Sequence, residues 1–170
     1  MAAAGGRGLT HRAVDGEAGV PVGTTSNYFR TRQELVGALA ARIYERLAPD
    51  PERIEQLTNR TASVESSVEH VRYIVERLYG QRDLTLALFE LRLEAARNPE
   101  VAELLTPQLR EGFRGDVEYN RQAGLPGGSF EIALLHYAID GLVFDRLTTA
   151  IDPETSMDDI VTALVDRLIA

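Results

Sequence analysis

The spacing of apolar residues predicts helices along nearly the whole chain. The signal is clearest near the C-terminus, where apolar residues recur every three or four positions: Met157, Ile160, Val161, Leu164, Val165 and Leu168. The same spacing predicts further helices over about 10–18, 21–29, 32–47, 64–79, 83–97, 100–123 and 130–151. No series of alternating apolar and polar residues bounded by hairpin turns predicts a sheet. The sequence therefore predicts an all-α protein.

Prolines divide this helical pattern into two parts. Asp50 lies between Pro49 and Pro51, and proline disfavours the continuation of a helix. We therefore predict an N-terminal head domain over residues 1–48 and a larger helical-bundle domain over residues 49–170.

The composition is that of an ordinary globular protein. The 170 residues include no Cys and no Trp, and 44% of them are apolar. The absence of Cys excludes disulfides and Cys-ligated zinc. No apolar run reaches the roughly 20 residues that span a bilayer, and the N-terminus has no secretory signal pattern. These features predict a cytoplasmic protein that has no membrane partner.

The net charge of −8 argues against a nucleic-acid partner until its distribution is considered. All 18 basic residues are Arg. Up to Ala48, six Arg stand against four acidic residues, which gives +2, whereas the rest of the chain carries −10. A weakly basic head on an acidic body indicates two roles along the chain, although so small an imbalance also arises by chance.

Residues 9–29 carry the pattern of a helix-turn-helix. Thr10 can cap a helix that ends at Gly19, and a second short helix follows. Gly19 suits the turn because glycine adopts a positive φ without steric cost. The second helix then presents small polar side chains to a DNA groove, with Arg30 and Arg32 just beyond it for phosphate.

This segment resembles the DNA-binding domain of the tetracycline-repressor (TetR) family of bacterial transcription regulators. That family has a Gly-Val turn, a Gly-Thr-x-x-x-x-Phe recognition helix and a Ser/Thr-Lys/Arg-x-x-Leu start to the next helix. The corresponding residues here are Ala18-Gly19-Val20, Gly23-Thr24-Thr25-Ser26-Asn27-Tyr28-Phe29 and Thr31-Arg32-Gln33-Glu34-Leu35. The match covers about residues 8–47. Beyond it, only the helical layout and the overall length resemble the family.

The resemblance implies a ligand-responsive regulator, and more specifically a repressor. Such a protein would bind a near-palindromic double-stranded DNA operator as a homodimer, and a small-molecule effector bound to the body would release it. The last two long helices, about 129–151 and 156–170, are apolar enough for an intersubunit four-helix bundle. We therefore predict the dimer interface there.

The predicted DNA contacts are Thr10, Arg12, Thr24, Ser26, Asn27, Tyr28 and Arg32. The resemblance implies a phosphate or base contact for Thr24, and phosphate contacts for Tyr28 and Arg32. Asn27 is the candidate for base readout, because an amide can pair bidentately with adenine. Thr25 occupies a place that is often Leu in the family, and we predict that it packs rather than contacts DNA.

The N-terminus departs from the family pattern. The family has a further helix before this motif, whereas only residues 1–4 precede Gly5-Gly6 here. We expect that the chain is a fragment, that its start codon is misplaced, or that its head is incomplete. A two-helix head would leave Val14, Val20 and Phe29 partly uncovered.

Asp15 is a second departure, because the family usually has Ala at this tightly packed place. Either Asp15 rotates outwards towards Arg12, or it weakens the head. Gly16 follows it within the predicted helix, at a cost of about 1 kcal/mol relative to Ala.

Polar and aromatic residues interrupt the apolar helix faces of the body and are candidates to line a ligand cavity. These residues are Tyr73, Arg77, Phe89, Arg92, Tyr119, His136 and Tyr137. The three His residues are too scattered for a chelating pair, so we predict no metal site, and no cofactor is predicted either.

Two other functions stay open. The chain could bind a small molecule while its incomplete head no longer binds DNA. It could also be an enzyme that uses His136 and Asp140, which stand four residues apart on one predicted helix. A polar pair that faces a pocket or a dimer seam explains these two residues without catalysis, and we therefore predict no enzymatic activity.

Overall fold

The computed structural model describes residues 5–169, apart from the side chain of Arg7. This range consists of helices and turns without a strand, which confirms the predicted all-α class. After a 3₁₀ turn at Gly6–Gly8, the helices are α1 (His11–Ala18), α2 (Thr24–Tyr28), α3 (Arg32–Leu47), α4 (Pro51–Thr58), α5 (Val64–Gly80), α6 (Arg82–Ala95), α7 (Pro99–Gln122), α8 (Ser129–Leu147) and α9 (Met157–Leu168). The expectation of an incomplete head, which is based on residues 1–4, concerns residues outside the described range.

Helix α4 is an element that the sequence did not predict. The prolines end α3 as expected, but a new helix begins at once, because the Asp50 side chain accepts a hydrogen bond from Glu52 N at 3.0 Å. Pro51 stands at the first helical position, where a missing N–H is not needed and the fixed φ suits a helix. The same residues therefore end one helix and start the next.

Helix α8 ends at Leu147, four residues before the predicted end. The Thr148 hydroxyl donates to Phe144 O at 2.7 Å, and Ile151 lies beyond the helix with 91% of its surface exposed. The predicted helix is too long, because it includes the apolar Ile151. No helix among the described residues is both long and apolar enough to span a membrane.

Contacts divide the described chain into two compact units, each built from two separate stretches. The first unit comprises residues 5–47 and Asp83–Leu109, and the second comprises Ala48–Arg82 and residues 110–169. The first unit thus contains most of α6 and the start of α7 in addition to the predicted head. The split into domains 1–48 and 49–170 stays a prediction.

The first unit has an apolar core with contributions from several helices. α3 buries one face at the spacing that the sequence predicts, and α6 and α7 contribute further side chains. The buried residues are Leu9, Leu35, Val36, Ala40, Ile43, Leu47, Ala87, Leu91, Val101 and Leu105. Gly37 lies against Leu104, where an added Cβ would stand 3.7 Å from the leucine.

The second unit is built around the mutual packing of α5, α8 and α9. Each helix buries residues three or four positions apart, as an amphipathic helix does. These residues are Val68, Val71, Val75, Ile132, Leu135, Ile139, Val143, Val161 and Val165. The buried amide of Asn120 closes the loop before α8, because its Nδ2 donates to Leu125 O at 3.2 Å and to Gly127 O at 3.0 Å.

Two glycines, Gly16 within α1 and Gly19 at its end, allow a matched test of the turn that ends this helix. Gly19 has φ 65°, and Gly16 is helical; an added Cβ meets no atom within 4 Å at either position. We expect Gly16→Ala to raise the free energy of unfolding by about 0.5–1 kcal/mol, because alanine loses less backbone entropy in a helix. Gly19→Ala should lower it by about 1–2 kcal/mol, because a side chain strains the left-handed conformation. Urea denaturation measures both, and equal effects would contradict the assigned turn.

Candidate functional site

Helices α1 and α2 pack against each other as a helix-turn-helix. Gly19 ends α1 in the left-handed conformation, and Val20 N donates to Asp15 O at 3.0 Å. The chain then reaches Gly23, the residue that precedes α2 and that has no side chain to cap this helix. The first turn of α2 therefore needs hydrogen-bond acceptors from another part of the chain.

The carboxylate of Asp15 supplies these acceptors. Its Oδ2 accepts from Gly23 N at 2.7 Å, and its Oδ1 accepts from Thr25 N at 2.7 Å and from Thr25 Oγ1 at 2.5 Å. Asp15 is 1% exposed, and Thr25 is also buried. A side chain of α1 thus caps the N-terminus of α2, the end at which the helix dipole favours a negative charge.

Hydrogen bonds to the charged carboxylate lower the pKa of Asp15 below its ordinary value of 3.8. The largest contributions come from the Thr25 hydroxyl and the Thr25 amide, while burial acts in the opposite direction and the Gly23 amide lowers the pKa further. Asp15 is therefore ionised at neutral pH, and its charge is held by three donors.

His11 fixes the opposite end of α2. Its Nε2 lies 2.6 Å from Phe29 O, and since a carbonyl oxygen only accepts, Nε2 carries the proton and donates. Both ends of the five-residue α2 are therefore held by side chains of α1.

The predicted outward rotation of Asp15 is wrong. The carboxylate points into the head because Gly23 and Thr25 offer it donors that the sequence pattern does not reveal. The alternative expectation treated Asp15 as a misfit, whereas its hydrogen bonds give it a structural role. Thr25 packs inside the head, as predicted.

The predicted contacts on α2 differ in whether their polar groups already make hydrogen bonds within the described part of the protein. Asn27 and Tyr28 are exposed, Tyr28 by 77%, and their side chains make no hydrogen bond within the described part of the chain. The hydroxyls of Thr24 and Ser26 donate to Pro21 O at 2.6 Å and to Gly23 O at 2.8 Å. In these rotamers the two hydroxyls can accept from DNA but cannot donate to it.

The remaining predicted DNA contacts lie on α1 and at the start of α3. Thr10 caps α1 by accepting from Ala13 N at 3.1 Å, and Arg12 is exposed. Arg32 donates to Gly6 O at 3.0 Å and lies 3.3 Å from Glu94, with 41% of its side chain exposed. Its guanidinium is thus partly engaged within the first unit.

The structure divides the seven predicted ligand contacts between the two units. Phe89 and Arg92 lie in the first unit, on α6, and the other five lie in the second. Among those five, Tyr137 is 72% exposed on α8. No cluster of three or more potential metal-ligating side chains occurs within residues 5–169.

Tyr119 takes part in a series of hydrogen bonds. Its hydroxyl lies 2.8 Å from His70 Nε2 and 2.8 Å from Thr58 Oγ1, and His70 Nδ1 donates to Ser66 O at 2.7 Å. The Tyr119 hydroxyl thus already has two partners within hydrogen-bond distance.

Tyr73, Arg77 and His136 have different surroundings. The Tyr73 hydroxyl accepts from Asp50 N at 2.7 Å, and His136 Nε2 lies 3.0 Å from Asp116 Oδ2. Arg77 stacks its guanidinium 5.6 Å from the centroid of the Tyr73 ring. Burial lowers the pKa of Arg77, an effect that Tyr73 and the negative charge of Asp116 oppose.

Comparison with known proteins identifies the family. A family model described as "Tetracyclin repressor-like, C-terminal domain" matches residues 62–170, which is more than half of the chain. The chain therefore belongs to the TetR family and is a transcriptional regulator. Members of this family are generally non-enzymatic transcription factors. No curated protein matches the chain.

Solved structures with the same fold agree with this assignment. The multidrug-binding protein EbrR, in complex with imidazole, is 26% identical with a TM-score of 0.67; the match covers 96% of this chain and 85% of EbrR. A TetR-family member from Streptomyces coelicolor is 25% identical with a TM-score of 0.71, over 100% of this chain and 91% of that one. A transcriptional regulator from a Rhodococcus species shares the fold alone, with 19% identity, a TM-score of 0.70, and coverage of 98% and 88%.

We predict that Asp15→Asn destabilises the head, because the amide that replaces one carboxylate oxygen donates hydrogen bonds and cannot accept them from Gly23 N or Thr25. Thermal unfolding should show a melting temperature lowered by several degrees. Glu17→Gln is the matched control, because Glu17 is an exposed acid on the same helix. Equal melting temperatures for the two variants would contradict the capping role.

The pH dependence of this difference has a definite sign. The pKa of Asp15 is lower in the native state than its ordinary value of 3.8. The ionised carboxylate therefore stabilises the fold at pH values above 3.8, and this stabilisation is lost as the pH falls through the lowered pKa. The stability gap between wild type and Asp15→Asn should therefore stay constant between about pH 8 and pH 5 and narrow in stronger acid. A gap that widens in acid would contradict this assignment.

Proposed function

We propose that the protein is a repressor that binds a near-palindromic DNA operator as a homodimer and leaves it when a small molecule binds. The observation that carries this proposal is the presentation of α2. Asp15 and His11 hold its two ends, while Asn27 and Tyr28 project into solvent with no internal hydrogen bond among the described residues. A short, fixed helix with free polar side chains suits insertion into a major groove.

The proposed DNA contacts on α1 and α2 divide into those that read bases and those that hold phosphate. The exposed amide of Asn27 offers both a donor and an acceptor, which is the combination that adenine matches in the major groove. The exposed phenol of Tyr28 and the guanidinium of Arg12 can donate to phosphate oxygens, which only accept. Because the Asp15 carboxylate occupies Gly23 N and Thr25 N, recognition by α2 rests on its side chains more than on its backbone amides.

The surface of α8 supports a homodimer. Phe130, Tyr137 and Phe144 are seven residues apart, so they form one stripe along the helix, and they are 71%, 72% and 47% exposed. The opposite face of α8 is buried in the core. An exposed apolar stripe of this kind is typical of an interface between protein chains. The predicted interface through 129–151 and 156–170 includes all three residues.

The relatives support a small-molecule effector. EbrR is described as a multidrug-binding protein and was solved with imidazole, and it matches 96% of this chain. We propose by analogy that the helical second unit binds the effector. A second candidate function, effector binding without DNA binding, has one observation in its favour, namely the engagement of Arg32 by Gly6 and Glu94.

DNA binding can be tested with the duplex that the wild-type protein selects most strongly from a random library. Asn27→Ala should weaken binding to this duplex by about 5- to 150-fold, because one bidentate base contact contributes roughly 1–3 kcal/mol. Its binding to unselected DNA should not change. Arg12→Ala should instead weaken binding to both duplexes and reduce the salt dependence by about one phosphate contact.

Fluorescence anisotropy over a range of salt concentrations measures these affinities. Gln56→Ala is the control, since Gln56 is an exposed amide on α4, outside the proposed surface. Failure of the wild-type protein to select any sequence, together with retained effector binding, would favour the second candidate function.

The dimer interface has its own test. We expect the wild-type protein to elute with about twice the 18.7 kDa mass of one chain in size-exclusion chromatography with light scattering. Tyr137→Glu should shift it to the monomer mass, because a desolvated charge in an apolar interface is unfavourable. Leu93→Glu should stay dimeric, because Leu93 is 49% exposed on α6, outside the predicted interface. A dimeric Tyr137→Glu variant would contradict the assignment of this face.

A further inference from the structure

Arg77 is a half-buried cation whose donors are not fully used. Its Nε and Nη1 atoms are buried and have no hydrogen-bond partner among the described residues. Arginine stays protonated in proteins, so these donors carry a full positive charge. A buried donor without an acceptor is unfavourable, and a buried charge without a partner is more so. Such a group is a candidate to bind a ligand.

The acid whose charge acts on Arg77 is already paired with another group. The negative charge of Asp116 acts on Arg77, yet Asp116 Oδ2 lies 3.0 Å from His136 Nε2. The other group on Arg77 is the Tyr73 ring, whose centroid lies 5.6 Å from the guanidinium carbon. A ring face attracts the cation but accepts no conventional hydrogen bond from it, so the Nε and Nη1 protons remain available.

Two aromatic side chains lie near this group of residues, one beside Arg77 and the other beside His136. Tyr73 comes from α5 and Phe113 from α7, and the Phe113 ring meets the His136 ring edge-on with centroids 5.5 Å apart. All of these residues belong to the second unit. The same region therefore combines one cation that has free donors with aromatic surface, which suits a ligand with an anionic end and an apolar body.

The other predicted ligand residues of the second unit are less suited to an anion, because none of them carries a permanent positive charge. The Tyr119 hydroxyl lies within hydrogen-bond distance of His70 Nε2 and Thr58 Oγ1, and the Tyr73 hydroxyl accepts from Asp50 N but keeps its own proton. His136 is engaged by Asp116. Arg77 thus stands out among them, because it combines a permanent positive charge with donors that no hydrogen bond uses.

We propose that the effector is a monocarboxylate with an aromatic or aliphatic body, and that its carboxylate binds the Arg77 guanidinium. This inference rests on the proposed function, since it names the effector class of the same regulator. One negative charge matches the single positive charge of Arg77. A dianion such as phosphate would add a second charge close to Asp116, and like charges in a partly buried site repel.

The test uses two pairs of probes that differ in charge but hardly in shape. These are benzoate with benzamide and octanoate with octanamide, each titrated against the 170-residue protein. We expect at least one carboxylate to raise the melting temperature and to bind at least tenfold more tightly than its amide, by calorimetry. Arg77→Gln should remove this preference, and Arg77→Lys should keep part of it, because lysine retains the charge. Arg114→Gln is the matched control, because Arg114 lies exposed on α7 of the same unit.

Each outcome decides the proposal. Equal binding of acid and amide, or carboxylate binding that survives Arg77→Gln, would overturn it. So would the absence of any response of the wild-type protein to either acid at about 10 mM, enough to detect a Kd of order 1 mM. If Arg77→Gln does not fold, as circular dichroism would show, the acid–amide comparison on the wild type and Arg77→Lys still decides.

The affinity of the wild-type protein for its selected duplex, measured without any probe, separates this inference from the proposed function. DNA binding without a carboxylate response overturns the inference alone. If the wild-type protein does not bind DNA in this measurement, the repressor function is overturned, whatever the probes show.

Discussion

The hydrogen bonds of the Asp15 carboxylate are the constraint on which the DNA-binding head depends. Helix α2 has five residues, too few for a helix to be stable by itself in water. Its first turn has no capping side chain of its own, because Gly23 precedes it. The shape and direction of α2 therefore come from α1, through Asp15 at one end and His11 at the other. Every proposed contact between α2 and DNA requires this arrangement.

The sequence predicted the helical class, the helix-turn-helix and most helix positions, because these follow from apolar spacing and from glycine and proline. It did not predict α4, since a proline that ends one helix can equally occupy the first position of the next. The direction in which the Asp15 side chain points could not be predicted either. Asp15 binds Gly23 and Thr25, which are eight and ten residues away, and no periodic pattern within one helix brings those residues together.

The ligand candidates illustrate the same limit in the second unit. Sequence could select polar and aromatic residues on apolar helices, but it could not show which of them already have partners. In the structure, the Tyr119 hydroxyl lies within hydrogen-bond distance of His70 and Thr58, whereas Arg77 has buried donors that find no acceptor among the described residues. Tyrosine and arginine interrupt an apolar face in the same way along the chain. Only the positions of neighbouring helices separate a residue that holds the fold from one that can bind a ligand.

The capping of α2 by Asp15 separates the residues that stabilise the head from those that α2 presents to solvent. The residues that fix α2 are Asp15, His11 and Thr25, and these turn inwards or bind backbone groups. Asn27 and Tyr28 make no hydrogen bond to the rest of the described head. Substitutions at these two positions can therefore accumulate during evolution without a loss of stability. In the proposed function, the head is a fixed frame whose operator preference very few substitutions on α2 would change.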